Sequence, residues 1–143
     1  TEQKYFKNTK KKILKFIEDK NQSKNEFLYG IFLKTKMDSK FLIHVGNIKL
    51  GPIDFYNKYS FISYFIGEKK YTGMNIMTVA IKKTLKIAKK RFKIKKIFAS
   101  FIKNNVGSKK VLRNNGFLKE GELKNYAIYK NKRVNNVYYG KEL

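Results

Sequence analysis

A mixed α/β domain on a largely antiparallel sheet is the fold class that this sequence predicts. Three observations lead there. Short runs rich in aromatic and branched residues occupy much of residues 26–66 and return after residue 94, as strands do. Between them, residues 75–92 switch to a helical spacing of three to four. The chain has 143 residues, 42% of them hydrophobic, enough for one core. It shows neither an internal repeat nor a linker, so residues 1–143 read as a single domain.

The elements follow in order. Thr9 to Asp19 reads as a short helix: Thr9 can cap it, and Ile13, Phe16 and Ile17 share a face. Asn21 to Asn25 is a polar loop. Glu26 to Lys34 is a strand, Lys36 to Lys40 a polar turn, and Phe41 to Leu50 a second strand that Gly51-Pro52 breaks. Tyr59 to Ile66 is a third strand, ended by Gly67. From Asn75 to Phe92, Met77, Ala80, Ile81, Leu85, Ala88 and Phe92 form a helical stripe with most lysines off it. Ile94 to Ile102 is a strand. Ser108 to Asn115 is a short helix that Ser108 can cap, and Gly116 stands where a left-handed residue is needed, before apolar Phe117. Strands near Phe117 to Leu123, Asn125 to Lys130 and Val134 to Leu143 close the chain.

Composition excludes several functions. There is no Cys, hence no disulfide scaffold, cysteine nucleophile or thiolate metal site. A single His argues against a His-based metal site or a Ser-His-Asp triad, so no metal is expected. No apolar run approaches about 18 residues, so no membrane span is expected. No signal peptide is visible, which makes the cytoplasm the expected compartment. The formal net charge of +24 invites a nucleic-acid reading. Yet 31 of the 34 basic residues are Lys, whereas base readout and bidentate phosphate recognition favour Arg. Lys, Asn and Ile make up 60 of 143 residues, as an AT-rich genome would write. Nucleic acid is therefore the weaker reading of the charge, although a basic surface still attracts anionic ligands.

The informative stretch is Ile66 to Ala80. A strand ends at Gly67, a polar loop follows, and a helix starts near Asn75. Helix N-termini carry N–H groups without intrahelical partners and suit phosphate. Any strand-loop-helix connection shares that property. The second stretch is more specific: Asn105-x-x-Ser108-x-x-Val111-Leu112-x-x-Asn115-Gly116-Phe117-x-x-Glu120-Gly121.

Together with Ile66-Gly67, Tyr71, Gly73, Asn75, Met77, Thr78 and Ala80, this pattern resembles the GNAT family of acetyl-CoA-dependent N-acetyltransferases. It is most similar to the ribosomal-protein alanine acetyltransferase branch. The segment His44 to Asp54 is also similar to relatives that acetylate amino groups on nucleotide-linked sugars. The resemblance runs from about Phe27 to the end. The chain starts at Thr1 and its first strand comes late, so the family's N-terminal strand and helix are expected to be missing.

The resemblance implies a central strand pair splayed at a bulge, with acetyl-CoA in the cleft. Its pantetheine would pair with Tyr59 to Ile66, and its pyrophosphate would lie on Thr72 to Met77. The cosubstrate residues it implies are Ile66, Thr72, Gly73, Met74, Asn75, Ile76, Met77, Thr78, Asn105 and Ser108. The acceptor amine would attack the thioester directly, without a metal. Thr72, Asn75 and Met77 replace the family's Gln/Arg, Gly and Gly/Ala; Asn tolerates a left-handed backbone, and Met77 can pack into the core. Lys69 and Lys70 can add charge or be solvated surface. Phe61 stands where related enzymes carry a Glu base, and Leu112 where many carry a Tyr acid. That leaves His44, Asp54, Glu68 or a held water as base, with structural roles open for His44 and Asp54. Ser108 is the candidate proton donor to the thiolate, or a helix cap, or both. The acceptor expected is a small amine, a nucleotide-linked amino sugar ahead of a protein N-terminus. A chain that binds CoA without turnover is the remaining alternative.

Overall fold

The computed structural model describes residues 9–34 and 40–143. Its elements are α1 (Lys10–Gln22), β1 (Phe27–Lys34), β2 (Leu42–Asp54), β3 (Tyr59–Ile66), α2 (Ile76–Phe92), β4 (Lys96–Ile102), α3 (Val106–Asn114), β5 (Leu118–Tyr129) and β6 (Lys132–Glu142). The turn expected at 36–40 lies outside the described residues except for Lys40. The six strands form one sheet in the order β1-β2-β3-β4-β6-β5. Every neighbouring pair is antiparallel except β3–β4, which bears out the predicted class.

Three local expectations need correction. First, Gly51-Pro52 does not end β2. The strand runs on to Asp54, with its register shifting between Leu50 and Ile53. Proline lacks a ladder N–H, and a bulge is where a strand can hold it. Gly51 has φ +130°, and a Cβ there would lie 2.6 Å from Asn25 O. Glycine thus lets the bulge press on the loop after α1, where Asn25 O accepts Ile53 N–H at 2.8 Å.

Second, the strands expected at 117–123 and 125–130 are one strand, β5. Its register against β6 shifts between Leu123 and Ala127. Asn125 takes φ 51° there and donates its N–H to Asn135 Oδ1 at 3.0 Å. The polar residue absorbs a bulge rather than a turn. The true reversal is Lys130-Asn131, both at positive φ, the geometry of a two-residue hairpin.

Third, Ser108 is not the cap of α3. Asn105 is: its side chain accepts Ser108 N–H at 2.9 Å. Ser108 therefore lies inside the first turn. The other end follows expectation. Gly116 sits at φ 77°, and Phe117 N–H returns to Leu112 O at 3.1 Å.

The core lies between the sheet and the face carrying α2 and α3. Leu50, Ile62, Ile81, Ile97, Leu112 and Phe117 are all at most 3% exposed. Met77 packs among them. Asn115, itself buried, donates Nδ2 to Thr78 O at 3.2 Å and to Val111 O at 3.0 Å. That one amide ties the start of α2 to the end of α3.

On the surface, Glu122 of β5 gathers three donors. Its Oε1 accepts from Lys103 Nζ at 2.8 Å and Asn135 Nδ2 at 2.6 Å, and its Oε2 from Lys119 Nζ at 2.6 Å. The Lys103 and Lys119 ammonium groups and the Asn135 amide pull the carboxyl down to about 2. An unfolded Glu titrates near ~4.3. The stabilisation is therefore complete above that value and is lost as pH falls towards the folded pKa. Glu122→Gln should lower the melting temperature at neutral pH, and the gap to wild type should close between about pH 5 and pH 2. Melts across that range check it; a gap independent of pH would remove the carboxylate from the account.

Candidate active site

The parallel pair β3–β4 carries the site. It is hydrogen-bonded only at Tyr59–Lys96, Ser60–Ile97 and Phe61–Phe98. Beyond Phe61 the strands part. Each is followed by a helix, so the gap opens where α2 and α3 begin. The resulting cleft has a volume of about 970 Å³. Ser63 and Tyr64 line one wall, Ser100 and Phe101 the other, and Asn105 and Ser108 lie at the start of α3. Parted strands leave backbone N–H and C=O groups facing the gap, and an extended, amide-bearing ligand can pair with them.

The loop after β3 builds the second half. Gly67 N–H is held by Val45 O at 2.9 Å, and a 3₁₀ turn follows at Lys69–Tyr71. Thr72 Oγ1 donates to Lys69 O at 2.6 Å. Gly73 has φ 78°, and Asn75 is at φ 60°, ψ 6° with no side-chain cap bond. Val79 N–H is the first in α2 to find an acceptor, Asn75 O at 3.2 Å. Ile76, Met77 and Thr78 therefore present N–H groups at the end of a 17-residue helix, with no acceptor among the described residues. The helix has no acidic residue in its first turn. Backbone N–H groups at a helix start suit an anion whatever the side chains are, and the Met77 side chain packs in the core.

The structure brings Ile66, Thr72, Gly73, Met74, Asn75, Ile76, Met77 and Thr78 together around this loop, with Asn105 and Ser108 across the gap. His44 and Asp54 are not part of the cleft lining among the described residues. They stand ten residues apart on β2, about 33 Å along an extended strand. Gly46 pairs with Ile66, so His44 lies beyond the end of β3. Its ring packs against Phe32 with the centroids 5.1 Å apart and the planes tilted by 41°, and Nε2 is 3.0 Å from Asn47 Oδ1. Asp54 closes the β2–β3 turn: its carboxylate accepts Asn57 N–H at 2.7 Å and Asn57 Nδ2 at 2.9 Å. Those bonds hold its pKa below the ordinary value. Both carboxylate oxygens thus serve the turn. Glu68 pairs with Lys70 at 2.8 Å, exposed on the loop.

Sequence reasoning missed Tyr64. Its hydroxyl lies 3.5 Å from Ser108 O, 44 residues away, and burial pushes the phenol up to about 12. Only its place on the parted half of β3 could have marked it. Leu112, by contrast, is 1% exposed and part of the core. Among the described residues, no group of three or more His, Cys, Asp or Glu side chains could hold a metal ion.

The sheet thus parts at its one parallel pair, and a helix start with N–H groups that lack acceptors among the described residues follows the parted strand. The chain belongs to the GNAT acetyltransferase family: the model of the Acetyltransferase (GNAT) domain matches residues 2–118. The Bacillus subtilis (strain 168) protein named Probable N-acetyltransferase YjcK is 30% identical over 123 residues, covering 85% of this chain. The chain spans 61% of that relative's length. Among solved structures, microcin C7 self immunity acetyltransferase MccE in complex with acetyl-CoA and AMP is 26% identical. It covers 97% of this chain and 74% of its own, with a TM-score of 0.79. The ribosomal-protein-S5-alanine acetyltransferase from Vibrio fischeri is 25% identical over 93% of this chain and 69% of its own, with a TM-score of 0.73.

Proposed function

We propose that this chain transfers an acetyl group from acetyl-CoA to a primary amine by direct attack in a ternary complex, the acceptor being a nucleotide-linked amino sugar. The observation that carries the transferase reading is the parting of β3 and β4 beside the unpartnered N–H groups of Ile76, Met77 and Thr78. In this reading the pyrophosphate meets those N–H groups, and the pantetheine amides pair with β3 beyond Phe61. Binding then holds amine and thioester in reacting geometry. Asn105 fixes the start of α3, and Ser108 in its first turn lines the cleft.

Charge favours an anionic acceptor. The chain carries +24, and among the described residues the cleft lining has Lys130 but neither a carboxylate nor an imidazole. A cationic peptide N-terminus would meet repulsion there, whereas a nucleotide-linked amine would be attracted. The MccE structure holds AMP together with acetyl-CoA, which supports a nucleotide-bearing acceptor. The Vibrio fischeri relative supports the second reading, a protein N-terminus.

The test is thiol release from acetyl-CoA with UDP-linked amino sugars and with ribosomal-protein N-terminal peptides. Turnover with the sugars alone is expected. Turnover with peptides alone selects the second reading, and binding of acetyl-CoA without turnover leaves a CoA-binding chain. Among the described residues the lining offers no carboxylate or imidazole, so in this reading the amine arrives neutral or loses its proton to water. The rate should therefore rise with pH along the acceptor amine's own titration, and should do so unchanged in His44→Ala. A rate limb that disappears in His44→Ala would restore His44 as the base.

A further inference from the structure

The reaction must deliver a proton to the departing sulfur, and the described residues lining the cleft contain few groups that can supply one. Three of their side chains titrate: Tyr64, Tyr129 and Lys130. Tyr129 and Lys130 belong to the β5–β6 hairpin at the rim, where the Lys130 ammonium lies 5.7 Å over the Tyr129 ring. Tyr64 is different. It sits on β3 past the last paired residue, Phe61. Its ring packs against the core, and its hydroxyl crosses to the first turn of α3, 3.5 Å from Ser108 O. At that length the hydroxyl proton is loosely held and can turn into the cleft. The Ser63, Ser100 and Ser108 hydroxyls are far weaker acids than a phenol.

We infer that Tyr64 is the proton donor to the coenzyme A sulfur. This rests on the transferase reading above. The amine nitrogen forms a bond to the acetyl carbon, the carbon–sulfur bond breaks, and its electron pair goes to sulfur. The Tyr64 O–H donates to that sulfur and transfers its proton, giving the free thiol. The proton that the attacking nitrogen gives up returns through water to the phenol oxygen, so phenolate does not accumulate. One proton leaves nitrogen and one reaches sulfur. Burial keeps the phenol neutral throughout the working range.

Tyr64→Phe keeps the ring and removes the hydroxyl. With acetyl-CoA and whichever amine the wild type accepts, kcat should fall about 100-fold, as for loss of a general acid, while KM for acetyl-CoA changes less than about threefold. A second readout needs no acceptor: titration of the thiol of bound coenzyme A, followed by thiolate ultraviolet absorbance. A hydroxyl that touches sulfur favours the thiolate, so the thiol pKa should be higher in Tyr64→Phe by about one unit, a tenfold shift in its ionisation. An unchanged kcat in an active enzyme overturns the proposal and leaves the transferase reading standing. A raised KM with an unchanged thiol titration also overturns it, making Tyr64 a strut between β3 and α3. A shifted titration in a chain that acetylates no amine keeps the sulfur contact and ends the transferase reading. Absence of coenzyme A binding by wild type defeats both.

Discussion

Asn75→Pro should weaken acetyl-CoA binding by about 100-fold or more, measured by calorimetry, while Asn75→Gly should bind within about twofold of wild type. The reason is backbone geometry. Asn75 enters α2 at φ 60°, and proline is locked near about −65°. To accommodate proline, the chain between Gly73 and Ile76 must take another path, and the N–H groups of Ile76, Met77 and Thr78 no longer converge. Hydrogen bonds to a charged group contribute about 1.5–3 kcal/mol each, and misaligning two of them yields the stated loss. The Asn75 side chain makes no cap bond, so glycine removes no such bond and adopts the same conformation freely. Unchanged affinity in Asn75→Pro would put the pyrophosphate elsewhere.

Phe117→Ala should be the most destabilising simple truncation, at about 3–5 kcal/mol. The ring is 1% exposed in the core, and the backbone around it cannot move in to fill the space. Gly116 turns at φ 77°, and Phe117 N–H is clasped to Leu112 O. A domain's whole stability is about 5–15 kcal/mol. The melting temperature should drop by about 10–15 °C in a chain of this size. A drop below about 3 °C would mean that the site collapses and refills.

The two stretches that pointed to the family were legible because their constraints are local. Asn75 and Gly116 stand where the chain needs a left-handed residue, and both are found there. Asn115 reads as part of a motif, but its bonds to Thr78 O and Val111 O show what the residue does. The sequence reading misassigns the cap of α3 to Ser108 because it does not consider Asn105, an equally good cap three residues earlier. The hydrogen bond between them decides which is which. The bulge at Gly51-Pro52 was hidden because the dipeptide usually signals a break, and only pairing with β3 carries the strand through it.

The sequence by itself determined the fold class, the order of elements and the loop that enters α2. Each follows from hydrophobic period and from residues whose backbone preferences act within a few positions. Tertiary structure alone decided which candidates meet. His44 and Asp54 share a strand yet end at its opposite extremes, while Tyr64 and Ser108 lie 44 residues apart and touch. Their meeting depends on where the pairing of β3 and β4 stops, and that is set by how two strands and two helices pack, which no local pattern encodes.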